Sequence, residues 1–265
     1  MSTTIDSAPA GYARPATSGL KGTPIVAWYA FWKLLTNPFS LGFAVFLPIF
    51  MYFMFGVGQS YSDLWTGHAN VAATVLVNMA VYGSIMTTSS MGANVALERT
   101  SGVSRLYALT PISPLALTAA RIVASLAISA VVITVTFTVG YVTGARMEAM
   151  AWLTAGAMII AVSALPACIG LAFAFAVRSD GAFAGTSAIT VVAAFASGMF
   201  IPLSQMGEFF QTIAPWTPFY GLVHLVQLPL YGWSEFTWGW VGGYLAWTAA
   251  FIAIAVWAQR RDTSR

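Results

Sequence analysis

Eleven basic and eight acidic side chains carry all the formal side-chain charge in 265 residues, and they fall in short clusters between long uncharged runs. The runs are 34–62, 64–97, 122–145, 149–177, 181–207, 209–234 and 236–259. A hydrocarbon core about 30 Å thick is crossed by roughly 20 apolar residues of helix, so each run is long enough to span a membrane. Hydrophobic residues make up 58% of the chain, charged residues 7%, and the mean hydropathy is +0.78. A soluble domain carries about 25% charged residues. The chain reads as an all-α integral membrane protein.

With so few charges, the net +3 is no signal for nucleic acid. Cys168 is the one cysteine and cannot form an internal disulfide. His68 and His224 lie far apart, so no zinc or iron ligand spacing is recognisable. Residues 1–23, rich in Ser, Thr, Ala, Pro and Gly, have no apolar signal-peptide region and read as a flexible tail, and residues 259–265 read as a second, cytosolic tail.

Six spans account for the pattern: about 39–58, 69–95, 117–143, 149–177, 181–203 and 237–258. An even number puts both termini on one side, together with Arg14, Lys21, Lys33, Arg99, Arg105, Arg121, Arg178, Arg260, Arg261 and Arg265, and leaves only Arg146 opposite. That asymmetry makes the richly basic side cytosolic. The location expected is the plasma (inner) membrane of a bacterium. Arg121 lies within a turn of the cytosolic end and is expected to snorkel to water.

The run 209–234 is long enough to cross, but crossing would reverse the three terminal arginines. It also carries Pro215, Pro218 and Pro229. Backbone freed at prolines cannot face lipid, so residues 205–232 read as an extracellular re-entrant helical hairpin before the last span. The competing reading is an amphipathic helix lying on the outer surface. Residues 24–36 are apolar but too short to cross, and Asn37-Pro38 ends them. With Trp28, Trp32 and Lys33 they read as a helix along the cytosolic interface. Pro48 and Pro166 should kink the first and fourth spans. Gly140/Gly144, Gly181/Gly185 and Gly239/Gly243 offer small-residue faces for close helix approach.

No ionisable residue sits deep in a span, which argues against a proton- or sodium-coupled carrier. No His or Asp is placed to activate a span serine. Lys21 and Lys33 both lack the Gly-Lys-Ser/Thr context of a phosphate loop, so uphill work would need another subunit to supply the energy. Residues 96–114 form the one substantial cytosolic loop, with Glu98, Ser101 and Arg105 on one helical face and Pro111 as a stop. This is either a stiff peg or an ordinary interfacial loop helix.

The segment Glu98-Arg99-x-x-Gly102-x-x-Arg105-Leu106, followed by Leu109-Thr110-Pro111-Ile112-Ser113, resembles the loop signature of type-2 ATP-binding-cassette exporter permeases. Ser197-Gly198-Met199-Phe200-Ile201-Pro202, Ile213-Ala214-Pro215-Trp216-Thr217-Pro218 and the Asn37-Pro38 pair are similar as well, and the likeness covers about residues 25–258. Gly207 stands where many relatives carry proline. The resemblance implies a non-enzymatic transport subunit, with two nucleotide-binding ATPase subunits beneath it and a second permease, identical or homologous, beside it. ATP and magnesium would be bound by the ATPase partner and no cofactor by this chain. Glu98, Arg99, Gly102, Arg105, Leu106 and Pro111 would form the coupling helix, with Trp28, Trp32 and Lys33 also near the ATPase.

The same resemblance places the translocation path along spans two and five. Thr74, Asn78, Tyr82 and Met86 fall four apart, while Thr186, Thr190, Ser197 and Phe200 form a looser stripe. Such a surface suits a hydrophobic or amphipathic cargo: a drug, antibiotic, lipid or peptide. Asn78 needs a partner, a cavity or a cargo, because an unpaired amide in lipid is costly. The alternatives are interhelical packing for the stripe, and, for the chain, export of a lipid-linked glycan or a non-transporting scaffold or sensor.

Overall fold

The computed structural model describes residues 22–103, 110, 112–177 and 180–263. Helix α1 (Thr23–Leu35) begins with Pro24 in its first turn, and Gly22 precedes it at φ 95°. Leu34 packs on Ala124 and Ile128, while Ile25, Trp28, Tyr29 and Trp32 stay exposed. Helix α2 (Pro38–Phe55) runs through Pro48 without a break and buries Tyr52 completely.

An ordered cap follows instead of a simple loop. Trp65–Thr66 and Ala69–Asn70 pair as two antiparallel strands, β1 and β2, around Gly67 at φ 73°. This small ribbon departs from the all-helical expectation, and span two accordingly starts at Val71 rather than 69. Asn70 is the reason. Its backbone is extended, and its side chain accepts from Ala73 N as the N-cap of α3 (Val71–Thr100). The ribbon is fastened by His68 N donating to Leu230 O and Glu148 N donating to His68 O.

At 30 residues, α3 is about 45 Å long. It passes the expected span end at 95, so Glu98 and Arg99 ride on its last turn instead of on a separate loop helix. Ser101 and then Gly102, at φ 78°, end it. Arg105, Leu106 and Pro111 lie outside the described residues. Helix α4 (Pro114–Thr143) is capped by Ser113, which accepts from Ala116 N, and closes at Gly144, φ 113°.

The fourth expected span is two helices, α5 (Ala149–Val162) and α6 (Ala164–Ala176), joined at Ser163. The break comes three residues before Pro166, where Val162 loses its helical donor because proline has no N–H. Helix α7 (Asp180–Ala196) stops short of 203. Ser197 and Gly198, at φ 78°, turn the chain out of the helix, so the last residues of the fifth expected span are not helical.

Between α7 and the last helix come α8 (Glu208–Ile213) and α9 (Tyr220–Tyr231), flanked by short 3₁₀ turns. At about 18 Å, α9 is too short to cross a bilayer core. Most of its side chains are buried, and it packs between α5, α10 (Trp238–Thr263) and α3.

Among the described residues, four helical stretches are long and apolar enough to cross a membrane: Val71–Arg99, Ala116–Thr143, Ala149–Ala176 and Trp238–Ala258. Ala44–Phe55 and Gly181–Ala196 are apolar but shorter. Helix α3 is the hub, packing on α6, α4, α2 and α7. At its crossing with α6 the backbones touch through Gly92 and Gly170, and a Cβ on Gly170 would overlap the Ser89 carbonyl. The glycine pairs expected from spacing are elsewhere: nothing lies near a Cβ on Gly243 or Gly144, Gly185 meets Phe173, and Gly140 meets Leu76.

Candidate functional site

One flank of the bundle, framed by α2, α3 and α7, holds two cavities. The first, about 520 Å³, lies toward the Glu98 end of α3 and is walled by Leu47, Pro48, Tyr82, Met86, Ser89, Ser90, Phe183 and Ser187. The second, about 650 Å³, lies toward the ribbon and is walled by Met51, Phe55, Tyr61, Val75, Asn78, Met79, Phe195, Met199, Phe200 and Gln205. Both walls are mainly apolar. Three rings meet where the cavities adjoin. Tyr82, from the first wall, meets Phe200, from the second, edge-on with centroids 4.9 Å apart. Phe200 also contacts Phe195 at 4.7 Å.

Helical periodicity puts Asn78, Tyr82 and Met86 on this flank, as their spacing suggested, and Phe200 reaches it from the turn after α7. Thr190 and Ser197 do not line either cavity. Both are buried, with hydroxyls donating to Thr186 O (2.6 Å) and Ala194 O (3.0 Å). Thr74 and Thr186 are likewise turned back on their own helices. Hydroxyls in apolar surroundings satisfy themselves on the nearest free carbonyl. The walls supplied by Met51, Phe55, Phe195 and Met199 went unread. Their signal was the Phe- and Met-rich face of α2 and the aromatic pair at positions 195 and 200.

Asn78 has a protein partner. Gln227 Nε2, on α9, donates to its Oδ1 at 2.9 Å. The amide therefore sits in the cavity wall with one acceptor position already engaged from behind.

At the other end of α3, the residues expected to couple to an ATPase make contacts within the chain. Glu98 Oε1 is 3.2 Å from Lys33 Nζ, and its Oε2 is 2.7 Å from Arg121 Nη2. The Glu98 and Arg121 side chains are only 18% and 10% exposed. Arg121 thus meets an internal carboxylate where snorkelling to water was expected. Arg99 Nη1 donates to Ala174 O at 2.6 Å, and its guanidinium lies 5.6 Å from the Phe175 ring centre. Gly102 has open space around it, so its structural task is the left-handed turn that ends α3. Trp28 and Trp32 stack at 6.0 Å on the exposed side of α1, beside Lys33.

The described residues thus form an apolar helical bundle with two cavities on one flank and a charged junction at one end of α3. Residues 59–258 match the model of the ABC-2 family transporter proteins, and the chain belongs to that family. It is also 25% identical over 194 residues to the protein named "Putative transport permease YvfS" of Bacillus subtilis (strain 168), covering 71% of this chain and 77% of that one. The chain is therefore a membrane subunit of an ATP-binding-cassette transporter, a kind of subunit that works with ATP-binding partners.

Proposed function

We propose that this chain is the permease half of an ATP-driven exporter of hydrophobic or amphipathic compounds, inserted with six crossings and with both termini in the cytosol. The first and fifth crossings are the shorter helices α2 and α7, and α8–α9 is the re-entrant hairpin on the outer side. Two ATP-binding subunits dock against the cytosolic end of α3 and the segment after Gly102, and magnesium-bound ATP is held there. A second permease, identical or homologous, faces the α2–α3–α7 flank and completes the path.

The observation that carries this reading is the pair of apolar cavities stacked along that flank and separated by Tyr82, Phe195 and Phe200. Cargo enters the first cavity from the cytosolic leaflet, and the rings part when the ATPases close. Apolar walls, with Asn78 and a few hydroxyls as the polar groups, match an amphipathic molecule better than an ion or a hydrated polymer. The exposed faces of Phe46, Phe50, Phe183 and Val192 on α2 and α7 supply an apolar surface for the second permease.

The test is co-expression with candidate ATP-binding subunits, purification by a tag on this chain, and reconstitution into liposomes. A retained ATP-binding subunit, with ATP turnover stimulated by amphipathic compounds, is expected. Tyr82→Ala with Phe200→Ala should keep ATP turnover but lose the stimulation. Failure to retain any ATP-binding subunit in mild detergent would count against the proposal. So would stimulation unaltered by the double substitution.

A further inference from the structure

The Lys33–Glu98–Arg121 junction has a geometry that bears on what Glu98 does. The three side chains come from the last turn of α1, the last turn of α3 and the second turn of α4. Each carboxylate oxygen of Glu98 is held by a cation from a different helix, at 3.2 Å and 2.7 Å. The Arg121 and Glu98 ends are largely withdrawn from water, whereas Lys33 is 52% exposed. Both oxygens of Glu98 are thus engaged within the chain, and its side chain is only 18% exposed, which leaves it little reach toward another protein. Ion pairs withdrawn from water lose heavily when one partner is removed, because a charge is stranded there.

We propose that Glu98 is a positioning residue that fixes α1 and α4 to the end of α3, so that the interface helix and both spans move as one unit. The contact with the ATPase then falls to the segment after Gly102. This rests on the coupling reading above only for the source of the force; the junction itself stands on its geometry. Removing the carboxylate frees α1 from α3 and releases Arg121 from its place on α4. The interface helix, then held on α4 by the packing of Ala30, Phe31, Leu34 and Leu35 around Ala124 and Ile128, samples more than one orientation.

The test uses the reconstituted complex with nitroxide labels at Ile25→Cys on α1 and Val123→Cys on α4. Both sites are exposed, at 73% and 58%, and Cys168 is buried and left in place. The wild-type background should give a narrow α1–α4 distance distribution. Glu98→Gln should broaden it and weaken retention of the ATP-binding subunit about tenfold. Glu98→Arg combined with Arg121→Glu and Lys33→Glu, which reverses all three signs of the junction, should restore the narrow distribution and the retention, which a direct contact with the ATPase would not allow. If Glu98→Gln misfolds, Lys33→Gln removes only the exposed arm and should broaden the distribution less. A narrow distribution in Glu98→Gln, with docking lost and not rescued by the exchange, would overturn the proposal. If the wild-type chain holds no ATP-binding subunit, the coupling reading fails, while the distance measurement still decides the junction.

Discussion

Gly92→Ala tests the α3–α6 crossing on which the bundle is built. A methyl at Gly92 would sit 2.5 Å from the Gly170 carbonyl carbon and 2.5 Å from Leu171 N, against the 3.4 Å at which ordinary contact begins, a shortfall of 0.9 Å. The obstructing atoms are backbone, so no side-chain rotation relieves the clash and the two helices must part. Overpacking of this kind costs about 1–3 kcal/mol, and rigid backbone on both sides points to the upper end. Alanine recovers about 0.5–1 kcal/mol of helix propensity over glycine, leaving a net loss of about 2 kcal/mol. The matched control is Gly242→Ala on α10, where nothing lies within 4 Å of the added carbon. There only the propensity term acts, and a gain of about 0.5–1 kcal/mol is expected. The assay is denaturant-induced unfolding of the purified chain in mild detergent, followed by helical circular dichroism and tryptophan fluorescence. The reasoning is refuted if Gly92→Ala unfolds at or above the wild-type midpoint, level with Gly242→Ala.

Three further perturbations read other parts of the structure. Asn70→Ala should cost about 3 kcal/mol in the same assay, because it removes the α3 cap and strands the Arg146 N–H and the Gly144 carbonyl that Asn70 now satisfies; a loss under 1 kcal/mol would show that the ribbon end is pliable. Asn78→Leu and Gln227→Leu should each destabilise by about 1–3 kcal/mol, while the double substitution comes close to wild type, since it leaves no stranded amide; additive losses would refute the pairing. Ser84→Ala with Ser163→Ala should show a coupling of about 0.6 kcal/mol in a double-mutant cycle, the usual size for hydroxyl bonds between membrane helices. Zero coupling would mean that the two hydroxyls do not act together.

The helices were legible because local chemistry writes them. The uncharged runs mark the apolar stretches, Asn37-Pro38 separates α1 from α2, and Ser113-Pro114 opens α4 with a cap and a proline in its first turn. Periodicity puts Tyr82 and Met86 on one helix face with Asn78, but that this face borders cavities depends on α2 and α7 packing beside it. What escaped depends on partners distant in sequence. Glu98 reads as a free surface charge until the fold brings Lys33 and Arg121 to it, from 65 and 23 residues away. Gly92 and Gly170 belong to different helices, so no spacing rule could pair them. Of the in-helix pairs that spacing picks, Gly144 and Gly243 have open space near them, while Gly140 and Gly185 meet the side chains of Leu76 and Phe173. The β-ribbon depends on Leu230 and Glu148 closing on His68. Nothing in the apolar run around His68 announces them.

The distribution of polar bonds explains why the cavities lie where they do. Helix α3 is tied to α4 and its neighbours at three depths. Near the ribbon, Asn70 bonds to Gly144 and Arg146 just beyond α4. At mid-height the hydroxyls of Ser84, Ser129 and Ser163 meet, joining α3, α4 and the α5–α6 kink. At the far end Glu98 holds Arg121. Parting α3 from α4 would break directional bonds at all three levels, and at the middle one no water is at hand to replace them. The opposite flank is built differently. Thr186, Thr190 and Ser197 of α7 and its end spend their hydroxyls on their own helix. Near the cavities Tyr82 of α3 meets Phe200, just beyond α7, ring against ring. On α2, Tyr52 reaches Thr143 near the ribbon, while Pro48 removes one backbone bond beside the first cavity. Apolar contacts lose energy gradually as surfaces slide, whereas hydrogen bonds weaken steeply with angle and distance. A wall held by apolar contacts can yield without breaking the fold, and that is the wall on which both cavities open.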